Sequence, residues 1–195
     1  MKGSVTMFIL KSPSFSHGEE IPQKYTADGE VISPPLNWSG IPEGTKSLAL
    51  AMTDPDALPM ATPAIFAHWV VCDIPVSATG ISEGASSSGE LPPGAKQLPN
   101  GGTAFGMDKM WPGYLPPWPP DKAHRYTFTL FALSEEKLPI SKDANFMGFM
   151  KAVLPITISS ATLVGIYGPA KRKMPSGMQL KALPRFIWRR LAYKV

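Results

Sequence analysis

A chain of 195 residues, 44% of them apolar, is long and apolar enough to bury its own core as one domain, which sets disorder aside. Its 22 prolines and 17 glycines, with no Gly-X-Y period and no internal repeat, argue against a helical bundle and for many short elements joined by loops. The net charge of +4 is uneven: eight of the 19 basic residues and none of the 15 acidic ones lie from Gly168 onward, so the high pI is no argument for nucleic-acid binding by the body.

The first stretch, MKGSVTMFILKS, has too short an apolar core for a signal peptide, and no apolar run approaches the ~20 residues of a membrane span. A cytoplasmic protein is the expectation. Ser33 to Gly44 (SPPLNWSGIPEG) reads as loop. Ser47 to Thr53 (SLALAMT) is a short apolar run of the kind buried in a sheet. His68 to Ile74 (HWVVCDI) is β-branched and aromatic and stops at Pro75, a second strand. Its Cys72 is the chain's single cysteine, which rules out an intrachain disulfide and a multi-cysteine metal site and reads as a small buried thiol.

Ala78 to Thr103, rich in Gly, Ser and Pro, reads as a second long loop, and Tyr114 to Lys122 (YLPPWPPDK) as a stiff extended one. Tyr126 to Leu133 (YTFTLFAL) alternates like a strand with two different faces. Lys142 to Leu154 is a helix with Phe146, Phe149, Met150 and Val153 on one face. Ile156 to Tyr167 supplies another strand, or, at Ser-Ser-Ala, the start of a helical turn. Residues 168–195 form a separate basic extension after a body of residues 1–167. Pro184 suits the first turn of a helix in which Ile187, Trp188, Leu191 and Val195 share one face and Arg185 and Arg189 another. Such a helix docks on its own domain or a second subunit, or it binds an anionic membrane surface or acidic protein.

Polar residues stand where these strands end. Asp54 and Asp56 follow SLALAMT, His68 opens HWVVCDI, and His124, Arg125 and Tyr126 open YTFTLFAL. If the strands are neighbours, these residues meet at one rim, with PPWPP as a wall. Two His, an Arg and a Tyr offer donors to an anion, and a nearby Asp fixes a His tautomer. Each histidine has a plainer reading as a hydrogen-bonded structural residue.

The segments TDPDA, FAHWVVCDIP and YLPPWPPDKAHRYTFTLFAL resemble the two signature regions of the phosphatidylethanolamine-binding protein (PEBP) family, in its bacterial and archaeal Raf-kinase-inhibitor-like branch. The stretch FSHGEEIPQKYTADGEVISPPLNWSGIPEGTKSLAL is similar to the opening of that branch, so the resemblance runs from Ser12 to Tyr167. It implies a mainly β fold, with a large central antiparallel sheet packed on a smaller one and peripheral helices. It also implies a small pocket for phosphate-like and carboxylate anions, including the phosphoethanolamine head group. That pocket is bordered at positions matching Asp54, Asp56, His68, Tyr114, Pro117, His124 and Tyr126, with the aspartates orienting donors rather than meeting the anion. No cofactor and no metal are implied.

The chain departs from the family pattern at Leu58, inserted before Pro59, and at Pro116 and Lys122, which replace glycines. Pro116 is expected to narrow the pocket mouth. The expected function is therefore a small-anion binding module with a protein partner and a regulatory role, not an enzyme. Its lean is to a homodimer, with peripheral membrane contact open to the tail. The alternatives are a hydrolase or metal-dependent enzyme using the Asp/His rim, although H-E-x-x-H, G-x-S-x-G and a glycine-rich phosphate loop are all missing, and a tethering protein acting through the basic tail.

Overall fold

The computed structural model describes residues 7–57, 65–120 and 122–168. The predicted tail helix and the inserted Leu58 lie outside these residues. Eight strands appear in chain order: β1 (Ile9–Lys11), β2 (Leu36–Ser39), β3 (Ser47–Asp54), β4 (Phe66–Pro75), β5 (Gly80–Ile81), β6 (Lys96–Leu98), β7 (His124–Leu133) and β8 (Thr157–Tyr167). A one-turn helix, α1 (Ala85–Ser88), falls between β5 and β6, and α2 (Phe146–Val153) between β7 and β8. The large sheet has the order β6-β4-β3-β7-β8, the small one β1-β2-β5, and every strand pair is antiparallel. The fold is mainly β with peripheral helices, as expected.

The three strands at the centre of the large sheet owe their apolar runs to burial on both faces. Leu48, Leu50 and Met52 of β3 point into the space between the two sheets, where they meet Leu36 and Trp38 of β2. The intervening Ala49 and Ala51 face the other way, toward Phe149 and Val153 of α2. Small residues on that face let the helix lie close, and Phe131 meets Phe149 edge-on at 6.2 Å. Cys72 is buried on the same side, where loss of solvent pushes its thiol up to about 11.

Several expectations need correction. The Ser33 to Gly44 segment contains β2, in which Leu36 and Trp38 turn inward and Asn37 and Ser39 outward. The Ala78 to Thr103 segment contains β5, α1, β6 and a 3-10 turn at Gly101–Phe105. These elements are two to five residues long, too short to show a period. The helix begins at Phe146 rather than Lys142, because Asn145 caps it by accepting a hydrogen bond from the Gly148 N–H at 3.0 Å. Its predicted face holds, with Phe149 and Val153 buried and Phe146 and Met150 packed beside them. Ser159 to Ala161 is strand, so the helical alternative for that stretch falls away.

Among the described residues, no helix is long and apolar enough to cross a membrane. Gly165 explains how the chain before β2 covers β8. A Cβ there would stand 2.4 Å from Ile21 Cγ1 and 2.8 Å from Phe15 Cε2, so only glycine admits that segment. The segment is tied down by Ile21 N–H to the Ile166 carbonyl and Ile166 N–H to the Glu19 carbonyl.

Candidate functional site

Sheet order brings the polar strand ends together. β3 lies between β4 and β7, so Asp54 at the end of β3 has His68 on one side and His124 and Tyr126 on the other. All four are buried, with Asp54 and His124 each 3% exposed, which demands partners for their polar atoms.

Asp54 is held on both oxygens. Its Oδ1 accepts from the backbone N–H of Asp56 and of Ala57, each at 2.9 Å. That is an aspartate-capped turn, stiffened by Pro55, and it answers why Asp-Pro-Asp ends this strand. Oδ2 accepts from His124 Nδ1 at 2.7 Å and lies 3.9 Å from His68 Nε2.

His68 reaches this cluster through a bulge. Met52 of β3 pairs with Trp69 and Thr53 with Ala67, so His68 is an extra residue with no partner across the ladder. In regular alternation position 68 would share the face of Val70 and Cys72 and point toward α2. The bulge instead turns the imidazole toward Tyr126, whose ring it meets at 5.1 Å and 86°, with Phe66 at 5.1 Å and 66°. His68 Nδ1 lies 2.9 Å from the Leu115 carbonyl, which can only accept, so Nδ1 carries the proton. Burial holds His68 below the ordinary imidazole range, opposed by the Leu115 bond and by Asp54, while His124 adds to the lowering. The neutral ring therefore presents Nε2 as an acceptor.

The remaining expected residues stand around the cluster rather than in it. The Asp56 carboxylate turns away to Arg125, taking Nε and Nη2 at 2.9 Å each and the Arg125 backbone N–H at 2.9 Å. This fork, from the guanidinium first and the backbone N–H second, holds the Asp56 carboxyl well below the usual carboxylate range. Tyr114 donates its hydroxyl to the Tyr25 carbonyl at 2.7 Å and sets its ring edge-on to Trp69 at 5.6 Å. Burial raises that hydroxyl well above the ordinary phenol range, so it stays a donor. Pro117 is buried and accepts from the Ala27 N–H at 3.1 Å.

Two contributors escaped the sequence reading. The Leu115 carbonyl sets the His68 tautomer, and the Leu115 N–H returns a bond to the His68 carbonyl at 2.7 Å, so the proline-rich loop is stitched to the bulge. Phe66 closes the far side of the His68 ring. A backbone carbonyl leaves no mark in a sequence, whereas the IFAHWVV run does place an aromatic two residues before the histidine. Pro116, expected at the pocket mouth, is buried directly after Leu115, and Lys122 is exposed.

The two-sheet β fold agrees with comparison to known proteins. The profile of the phosphatidylethanolamine-binding protein family matches residues 11–168. A UPF0098 protein of Methanothermobacter thermautotrophicus is 39% identical over 158 residues, covering 81% of this chain and 97% of its own. A UPF0098 protein of Aquifex aeolicus is 41% identical, covering 80% and 85%. Among solved structures, the PEBP homologue CT736 of Chlamydia trachomatis superposes with a TM-score of 0.71 at 34% identity, over 83% of this chain and 97% of that one. YbcL of Escherichia coli, described as a member of the mammalian PEBP family, also gives 0.71, at 30% identity over 82% and 97%. The chain belongs to the phosphatidylethanolamine-binding protein family.

Proposed function

We propose that this chain binds small oxyanions, phosphate or a phosphoethanolamine-type head group, at the cluster of Asp54, His68, His124 and Tyr126. The observation that carries this reading is the 2.7 Å bond from His124 Nδ1 to the buried Asp54 carboxylate. A carboxylate in that position fixes the orientation of the ring, and an imidazole held in this way is suited to meet an oxyanion. Asp54 does not repel the anion as a bare charge would, because two backbone N–H groups and His124 already answer it. Among the described residues the Arg125 guanidinium is taken by Asp56 and the His68 ring is held neutral, which leaves His124 to meet the anion. The name of the family refers to phosphatidylethanolamine, whose head group carries a phosphate, and so supports the oxyanion part of this reading.

Calorimetric titration of phosphate and of O-phosphoethanolamine at about pH 6, in the wild type and in His124→Ala, tests it. Binding that is present in the wild type and lost in a folded His124→Ala protein is the expected result. Equal binding by both proteins, or none by the wild type, rejects the assignment.

A further inference from the structure

Two acceptors face each other across this cluster. His68 Nε2 is an acceptor because Nδ1 spends its proton on the Leu115 carbonyl, and Asp54 Oδ2 is an acceptor by nature. They stand 3.9 Å apart, beyond direct hydrogen-bond range, and no donor among the described residues bonds to His68 Nε2. His68 as a residue is 5% exposed, a setting in which an acceptor calls for a partner. The gap is wide enough for one oxygen atom placed to one side to lie within hydrogen-bond distance of both.

We infer that the gap between His68 Nε2 and Asp54 Oδ2 receives a hydroxyl belonging to the ligand, so that the site selects oxyanions that carry their own proton: phosphate species with a P–OH over sulfate and phosphodiesters. This rests on the anion reading above and narrows it. A bare anionic oxygen placed there would meet two lone pairs and no proton. A P–OH donates into the gap, while its deprotonated oxygens face His124. Among the described residues, the groups surrounding His68 are the Asp54 carboxylate from β3, His124 and Tyr126 from β7, Phe66 from its own strand and the Leu115 carbonyl from the proline-rich loop. Asp56 and Arg125, which flank the cluster, are paired with each other.

The consequence for ligand class is concrete. An intact glycerophospholipid is a phosphodiester and has no P–OH, so the site takes free phosphate or a phosphate monoester in its singly protonated form. The ammonium of phosphoethanolamine is another donor, and probes without one separate the two.

The test is calorimetry on the full chain with four small probes. At about pH 8 inorganic phosphate is mainly a dianion with one hydroxyl, and sulfate is a dianion of similar shape with none. A buried hydrogen bond to a charged group then gives phosphate an advantage of roughly tenfold or more. Methyl phosphate loses its hydroxyl as it ionises near pH ~6, so it binds at about pH 5.5 and falls to the level of sulfate at about pH 8. Dimethyl phosphate, which never has a P–OH, binds weakly at both. Sulfate has no proton to lose in this range and reports any titration of the histidines themselves. Sulfate binding as tightly as phosphate at the higher pH overturns the hydroxyl selection and leaves the anion reading standing. Failure of all four probes to bind overturns both.

Discussion

Asp54 is the residue on which both the local fold and the site depend, and two substitutions separate those roles. In Asp54→Ala the N–H groups of Asp56 and Ala57 and the Nδ1 proton of His124 lose their acceptor inside a nearly dry setting. Removing the buried acceptor that three donors share costs about 3–5 kcal/mol, after the relief of no longer burying the carboxylate. At about 2–4 °C per kcal/mol for a domain of this size, a loss near 4 kcal/mol lowers Tm by roughly 8–16 °C. Asp54→Asn keeps Oδ1 for the two backbone donors and changes only the atom facing His124. The imidazole can answer by moving its proton from Nδ1 to Nε2, so the cost falls to about 1 kcal/mol. Urea unfolding followed by circular dichroism gives both numbers, and phosphate titration of the Asn variant gives the third. Expected are a large loss for Ala, a small one for Asn, and abolished phosphate binding in Asn. An Ala variant within ~1 kcal/mol of wild type, or an Asn variant as damaged as Ala, would refute the reasoning.

Other consequences follow from the surroundings of the cluster. Tyr114→Phe strands the buried Tyr25 carbonyl and costs about 1–2 kcal/mol in urea unfolding, yet leaves phosphate affinity unchanged because that hydroxyl is committed away from the cluster. His68 is held below the ordinary imidazole value, so its contribution to stability is complete above about pH 6.5 and is lost as the pH falls toward its folded-state value, at no more than ~1.4 kcal/mol per pH unit. Urea midpoints of wild type and the non-titrating His68→Gln should therefore converge between about pH 6.5 and pH 5, and a constant difference contradicts neutral burial. Gly165→Ala drives a methyl into Ile21 and Phe15 and should cost about 1–3 kcal/mol by the same assay, with no loss signifying that the segment before β2 is not packed there.

What the sequence made legible follows from how each feature is encoded. The strands β3, β4 and β7 are eight to ten residues long and rich in apolar, β-branched and aromatic residues, so their burial shows directly. The boundaries drew in one or two residues too far, because Asp54 and His124 continue a strand with a polar side chain. β2, β5 and β6 were invisible as strands: Leu36 and Trp38 alternate over only four residues, and β5 is held by pairing with β2 rather than by any preference of Gly80 and Ile81. The meeting of the polar strand ends in one cluster was legible, from the ends themselves and through the family resemblance. Its fine structure was not. Nothing in FAHWVV marks His68 as the bulged residue, although that bulge decides which face of the sheet the imidazole occupies. Asp56, placed at the site by the family resemblance as an orienter of donors, is engaged by the adjacent Arg125 rather than by the histidines.

The most direct measurement is a crystal structure of the protein grown or soaked with phosphate. The expected result is a phosphate with one oxygen within hydrogen-bond distance of His124 Nε2 and another between His68 Nε2 and Asp54 Oδ2. Phosphate bound elsewhere with this cluster vacant would contradict the assignment of the anion site.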